Sequence, residues 1–209
     1  MGKLALLIGF VAGSLQEKAP EGATVLDASQ FVQEDGKACS WPVVEGALEV
    51  GKGNVITKEK YQDFQLHVEF NVPEPPAGAK GQARSNSGVY IQRRYEVQIL
   101  DSMGDDPPKF DGCGSIYRQK PPDKNAGKKP GEWQTYDITF KAARFDAAGK
   151  KTEGARITVV WNGVKVHDDY EIKDKTGAGK PEGPDPGAIL LQDHGAKVRF
   201  RNLWILPKK

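Results

Sequence analysis

Phe64, Leu66, Val68, Phe70 and Val72 alternate with Gln65, His67, Glu69 and Asn71 until Pro73 stops the run. A period of two puts successive side chains on opposite faces of an extended chain, so this segment can bury one face only as a strand. The run Gly88 to Asp101 keeps the same pattern, with Val89, Ile91, Val97 and Ile99 on one phase and Gln92, Arg94, Glu96 and Gln98 on the other. Further strands are expected at residues 47–50, 54–57, 133–141, 156–161, 164–170, 188–194 and 197–206. Between Trp161 and Val164 stand Asn162 and Gly163, which tolerate the positive φ of a type I′ turn, so a hairpin is expected there. No stretch of about twelve residues carries a helical apolar stripe at i, i+3, i+4 and i+7.

The alternation breaks at residues 73–86, 102–130 and 174–187, where Gly, Pro, Lys and Asp concentrate; Gly and Pro together supply 38 of the 209 residues. Many strands joined by turn-rich segments predict an all-β fold, an antiparallel β-sandwich with long loops gathered over one sheet and a ligand site beneath them. The length suits one domain, residues 15–209. Residues 1–14 have the layout of a secretory signal: Lys3, an apolar run from Leu4 to Ala12, then Gly13-Ser14. The expected location is therefore periplasmic or secreted. No other stretch approaches the roughly 18 apolar residues of a membrane helix, so no membrane insertion of the mature chain is expected. A net charge of +2 without a basic stripe argues against a nucleic-acid partner. Cys39 and Cys113 have no CxxC spacing and dictate neither a zinc site nor a disulfide framework. Whether they pair is left open, as is the oligomeric state.

Glu96 and Gln98 share a strand face, and Asp101 ends the same run. A β-bulge between Glu96 and Asp101 would restore their phase and make a carboxylate pair; without one they are a solvated face and a turn. Gln192 and His194 share a face at the end of an apolar run, where His194 is a candidate base or sugar-binding donor, or else a turn residue before Gly195. Arg201 can pair with a site carboxylate or form a cross-strand ion pair. Tyr117 is a candidate for sugar contact; Tyr95, Trp133 and Trp161 are expected mainly to pack. His67 and His167 are expected to be structural. Asp101, Asp105, Asp106 and Asp111 crowd one loop, but their spacing does not match an EF-hand. The nucleotide-binding, zincin and serine-hydrolase signatures are absent.

Seven segments occur in a familiar order: Ser85-Asn86-Ser87-Gly88-Val89-Tyr90, Arg94 through Ser102, Gly114-Ser115-Ile116-Tyr117, Gly131-Glu132-Trp133, Trp161-Asn162-Gly163-Val164, Leu190 through Gly195, and Phe200-Arg201-Asn202. From about Ala23 to Leu206 the chain resembles the 3-keto-disaccharide hydrolase domain family. The resemblance implies a concanavalin A-like jelly roll, export, a carbohydrate substrate, and cleavage of the glycosidic bond of a 3-keto-glycoside. A ketone at carbon 3 acidifies the carbon 2 proton, so one base can start an elimination that water then completes. Glu96 or His194 would be the base, with Gln98, Asp101, Tyr117, Gln192 and Arg201 around the substrate. No cofactor is required, and a divalent metal is left open. Two other activities stay open: a lectin-like binding module, and an ordinary retaining glycosidase. The chain departs from related glucanases, which carry Glu-x-Asp-x-x-Glu where this one reads Glu96-Val97-Gln98-Ile99-Leu100-Asp101.

Overall fold

The computed structural model describes residues 18–208. The expected signal segment 1–14 lies outside them. In chain order the strands are β1 Thr24–Val25, β2 Phe31–Gln33, β3 Val43–Val44, β4 Ala47–Glu49, β5 Val55–Thr57, β6 Phe64–Asn71, β7 Ser87–Ile91, β8 Tyr95–Ile99, β9 Trp133–Lys141, β10 Arg144–Phe145, β11 Lys151–Glu153, β12 Ala155–Trp161, β13 Val164–Ile172, β14 Leu190–Leu191 and β15 Arg199–Pro207. Among the described residues helix is confined to two single 3₁₀ turns, Ala28–Gln30 and Gly81–Ala83, and no helix there is long and apolar enough to cross a membrane.

Among the described residues every strand pairing is antiparallel. β10 and β11 pair as a separate two-stranded ribbon. One large sheet runs β13-β12-β9-β6-β15-β4-β3, with β1 also on β15; the second sheet runs β2-β5-β14-β7-β8. They pack face to face as the expected β-sandwich, because the apolar phase of each run points inward: Leu66, Val68 and Phe70 meet Val89, Val97 and Ile99 in one buried core. Tyr95 and Phe140 touch across it at 5.7 Å between centroids, and the Tyr136 hydroxyl donates to the Gln98 carbonyl at 2.6 Å. Asn162 (φ 50°) and Gly163 (φ 79°) make the expected hairpin turn. Gln134 faces inward, and its Oε1 accepts from the Trp161 indole at 3.0 Å and the Asn162 amide at 3.2 Å. Cys39 and Cys113 are both free thiols.

The run 88–101 is not one strand but a hairpin, folded at Gln92 and Arg93, both with positive φ (54° and 58°). Neither residue favours that region intrinsically. Tertiary contacts hold them there: the Gln92 amide donates to the Tyr61 carbonyl at 2.8 Å, and Arg93 pairs with Glu34. Three residues separate the paired Ile91 and Tyr95, so odd-numbered side chains stay on the core face through the turn. The alternation is unbroken, and periodicity could not reveal the fold-back.

Candidate active site

On the outer face of the five-stranded sheet the polar phase forms two rows. Glu96 (β8), Tyr90 (β7) and Leu190 (β14) make one; Gln98, Gly88 and Gln192 make the next, about 7 Å along the strands. The segment 174–187 is laid over the first row. Thr176 Oγ1 accepts from the Glu96 backbone N–H at 2.6 Å, and the Lys180 N–H donates to the Arg93 carbonyl at 2.7 Å, tying this loop to the hairpin turn. Beneath it lies a cavity of about 190 Å³ lined by Tyr90, Arg93, Lys180, Asn54, Gln192 and Ala178 among others.

Glu96 is 3% exposed. Its Oε2 accepts from the Tyr90 hydroxyl at 2.8 Å, while Oε1 lies so close over Gly88 that a Cβ there would be 2.6 Å away. Burial, which disfavours the charged carboxylate, pushes its pKa up to about 7 against the opposing pull of the Tyr90 hydrogen bond. Burial and the neighbouring carboxyl raise Tyr90 in turn, keeping it a neutral donor. Gln192 Nε2 reaches the Tyr90 hydroxyl at 3.4 Å, but its Oε1 is buried without a hydrogen-bond partner, as is Arg93 Nε. Both residues line the cavity, with these two atoms buried from solvent beside it. Tyr117 also belongs here: a Cβ on Gly177 would lie 3.3 Å from both Glu96 Oε2 and the Tyr117 ring.

Gln98 is buried and donates to Gln82 Oε1 at 2.8 Å, where it adjoins a second, larger cavity of about 640 Å³ lined by Gln82, Asn86 and His194. His194 is exposed there, two residues past Gln192 and so about one row further from Glu96. It does not share the cavity that Tyr90 lines.

Two of the sequence-derived residues are not brought to this face. The register across β8 is continuous, so no bulge puts Asp101 in phase with Glu96; Asp101 lies past the strand end, with Arg84 3.3 Å from its Oδ2 and also bonded to Asp105. Arg201 lies on β15 in the other sheet, where it pairs with Glu69 at 2.6 Å and its guanidinium sits 3.9 Å over the Trp133 ring. The expected convergence of Arg201 with Glu96, Gln98, Gln192 and His194 is therefore corrected: the polar phase of β15 faces the opposite side of the sandwich. His67 is buried beside Asp137 at 2.6 Å and stacked on Trp204; His167 is buried and bonded to the Gly114 carbonyl at 2.7 Å. Tyr90, Arg93, Lys180, Thr176 and Gly177 were missed. Tyr90 was legible as the residue on the polar phase two before Gln92; the others come to the site through the unforeseen turn and the loop above it.

The site is a buried carboxyl of raised pKa bonded to Tyr90, which itself lines the cavity on one sheet face. Residues 17–206 match the family described as the 3-keto-alpha-glucoside-1,2-lyase-like domain, and the chain belongs to that family. A solved structure from Parabacteroides distasonis ATCC 8503, described provisionally as a glycosyl hydrolase, is 36% identical, with a TM-score of 0.83 over 91% of this chain and 85% of that one. Another from the same organism, similarly described, is 20% identical with a TM-score of 0.64 over 90% and 95%. The alginate lyase Aly36B, solved as a double mutant in complex with an alginate tetrasaccharide, shares the fold at 11% identity and a TM-score of 0.51, over 91% and 99%. No curated protein matches. The family places the chain among carbohydrate-active hydrolases and lyases.

Proposed function

We propose that the protein cleaves 3-keto-glycosides by elimination, with Glu96 as the general base. The observation that carries this reading is a single buried carboxyl of pKa about 7, one oxygen held by Tyr90 and the other making no hydrogen bond among the described residues. A base poised near neutrality is matched to abstracting a proton acidified by an adjacent ketone. Glu96 takes the carbon 2 proton, the electron pair passes to the carbon 3 oxygen as an enolate, and its return expels the oxygen on carbon 1, which leaves as an alcohol on taking that proton back from Glu96. Water then adds across the enone to give the free 3-keto sugar. Arg93, Lys180 and Gln192 are placed to hold the sugar oxygens and the developing enolate charge.

A retaining glycosidase needs two carboxyl groups about 5–5.5 Å apart. From Glu96 to Ile99 alone the strand rises about 10 Å, and Asp101 lies beyond it, engaged by Arg84. A lectin would need no carboxyl of raised pKa. The test is incubation of wild type and Glu96→Gln with a 3-keto-disaccharide and its unoxidised parent. Release of the leaving sugar from the keto compound alone, abolished in the variant, is expected; equal release from both substrates would overturn the proposal.

A further inference from the structure

Arg93 and Lys180 line both the cavity that Tyr90 walls and a neighbouring one of about 400 Å³. The neighbour lies two residues along the strands from Glu96 and Tyr90, on the side away from Gln98, at the turn that carries Gln92 and Arg94. Its charge is one-sided. Lys58, Lys60, Arg93, Arg94 and Lys180 line it against Asp185 as the single carboxylate, an excess of four positive charges in a chain whose net charge is +2. Arg93 pairs with Glu34, but the other cations have no carboxylate partner among the described residues. The Arg94 guanidinium is held by neutral acceptors alone: it donates from Nε to the Pro181 carbonyl at 3.3 Å, from Nη1 to Gln92 Oε1 at 2.7 Å and from Nη2 to the Asp185 carbonyl at 3.1 Å. The ammonium groups of Lys58, Lys60 and Lys180, all exposed residues, make no hydrogen bond or ion pair among the described residues; Asp27 feels the charge of Lys58 but is itself bonded to Ser29. The 174–187 loop is pressed onto the turn so closely that a Cβ on Gly179 would lie 2.1 Å from the Arg94 carbonyl oxygen, so the wall that carries Arg94 is built into the fold.

We propose that this cavity is a subsite for an acidic sugar, taking the carboxylate or sulfate ester of the unit next to the one held beside Tyr90. It rests on the elimination reading for what happens to the glycosidic bond, not for what the cavity binds. A ring in the smaller cavity meets Arg93 and Lys180, the two residues that also wall the cationic one, and two residues of strand span about 7 Å, a step within reach of the adjoining unit. Like charges gathered in one cleft repel one another and raise the local positive potential; an anion placed among them relieves that repulsion and meets charged donors. The hydroxyls of a neutral sugar gain hydrogen bonds from the same groups without the charge attraction. Because the lysines are exposed, each contributes a factor of up to about five, and salt screens it.

The experiment has a binding arm and a kinetic arm. Methyl glucuronide, methyl glucoside 6-sulfate and methyl glucoside carry no ketone, so titrating them into the protein and following its backbone amide resonances reads binding without turnover. Saturable shifts at residues 92–94 and 180–188 are expected, with the anions at least about fivefold tighter than the neutral glycoside at low salt. Most of that preference should vanish at about 1 M salt, where the Debye length is about 3 Å. Lys58→Gln combined with Lys60→Gln removes two ammonium groups that bond nothing among the described residues, and should weaken the anions about threefold to tenfold. Lys124→Gln combined with Lys150→Gln makes the same charge change at exposed residues that line none of these cavities, and should weaken them less than about twofold. Tighter carboxylate than sulfate identifies a uronate, and the reverse a sulfated unit. Equal affinity for the neutral glycoside, or equal weakening by both lysine pairs, overturns the inference. In the kinetic arm, kcat/KM for a 3-keto-disaccharide whose second unit carries the tighter-bound anion should exceed that for its neutral counterpart by about fivefold at low salt, and the Lys58→Gln, Lys60→Gln variant should shrink the ratio. Turnover of both without preference overturns the inference and leaves the elimination standing. Anion binding at this cavity without turnover of either supports the subsite and sinks the elimination reading.

Discussion

Glu96 Oε1 occupies the space in which a side chain on Gly88 would begin: a Cβ at position 88 would lie 2.6 Å from that oxygen and 3.1 Å from Glu96 Cγ. The two residues are on paired strands, one row apart on the same face, so the glycine is what lets the carboxyl lie down against the sheet. Gly88→Ala should therefore displace the carboxyl while the strand, which tolerates alanine, stays paired. A loss of about 10²-fold in kcat with a native far-UV spectrum is expected, since misplacing a catalytic group by about 1 Å costs that much. Unchanged kcat would remove the base from this position.

Glu96→Gln separates function from stability. The folded pKa of Glu96 is raised to about 7 from an ordinary 4.5, so its contribution to stability is fully present below pH 4.5 and is lost as pH rises through 7. The neutral amide escapes that loss. The variant should be inactive, melt no higher than wild type at pH 4, and be more stable than wild type at pH 8 by up to roughly 3 kcal/mol. Denaturant titrations at the two pH values check the sign.

Tyr90→Phe removes the hydrogen bond that favours ionised Glu96. The acid limb of the kcat/KM profile, expected near pH 7 in wild type, should move to higher pH. A shift to lower pH would mean that another group titrates there.

His167 makes the fold sensitive to acid. Burial depresses its pKa to about 4, and its Nδ1 has no partner, so the imidazole is neutral when folded. Stability is present above the unfolded value of 6.5 and is lost as pH falls through 4, by roughly 3 kcal/mol in all. Replacement by Gln should flatten the stability profile between pH 6.5 and 4, as read by denaturant midpoints.

Arg201→Ala tests the placement of that residue on the far sheet. It leaves the nearly buried Glu69 carboxylate with Asn202 and, at 4.0 Å, His67 but without its guanidinium partner, and should cost roughly 2 kcal/mol of stability with kcat/KM within about twofold of wild type. A selective loss of activity would put Arg201 in the mechanism after all.

Much of the fold was legible because period-two burial follows directly from the residues: β6, β9 and β12 begin and end within a residue or two of the alternating runs. The short strands β1, β2 and β3 carry two or three residues each, too few for a pattern, and they are defined by tertiary pairing, β1 on β15, β2 on β5 and β3 on β4. Glu96, Gln98 and Gln192 were readable as one polar face. Which sheet a polar phase faces is not a local property, and this is why Arg201 was wrongly grouped with them.

Proton abstraction at carbon 2 by Glu96 is the central claim, and a 3-keto-glycoside deuterated at carbon 2 tests it most directly. Wild type should release the aglycone more slowly than from the protiated compound or lose the label to water, Glu96→Gln should do neither, and the unoxidised glycoside should be inert. Rapid cleavage of either sugar with full retention of the deuterium would contradict the account.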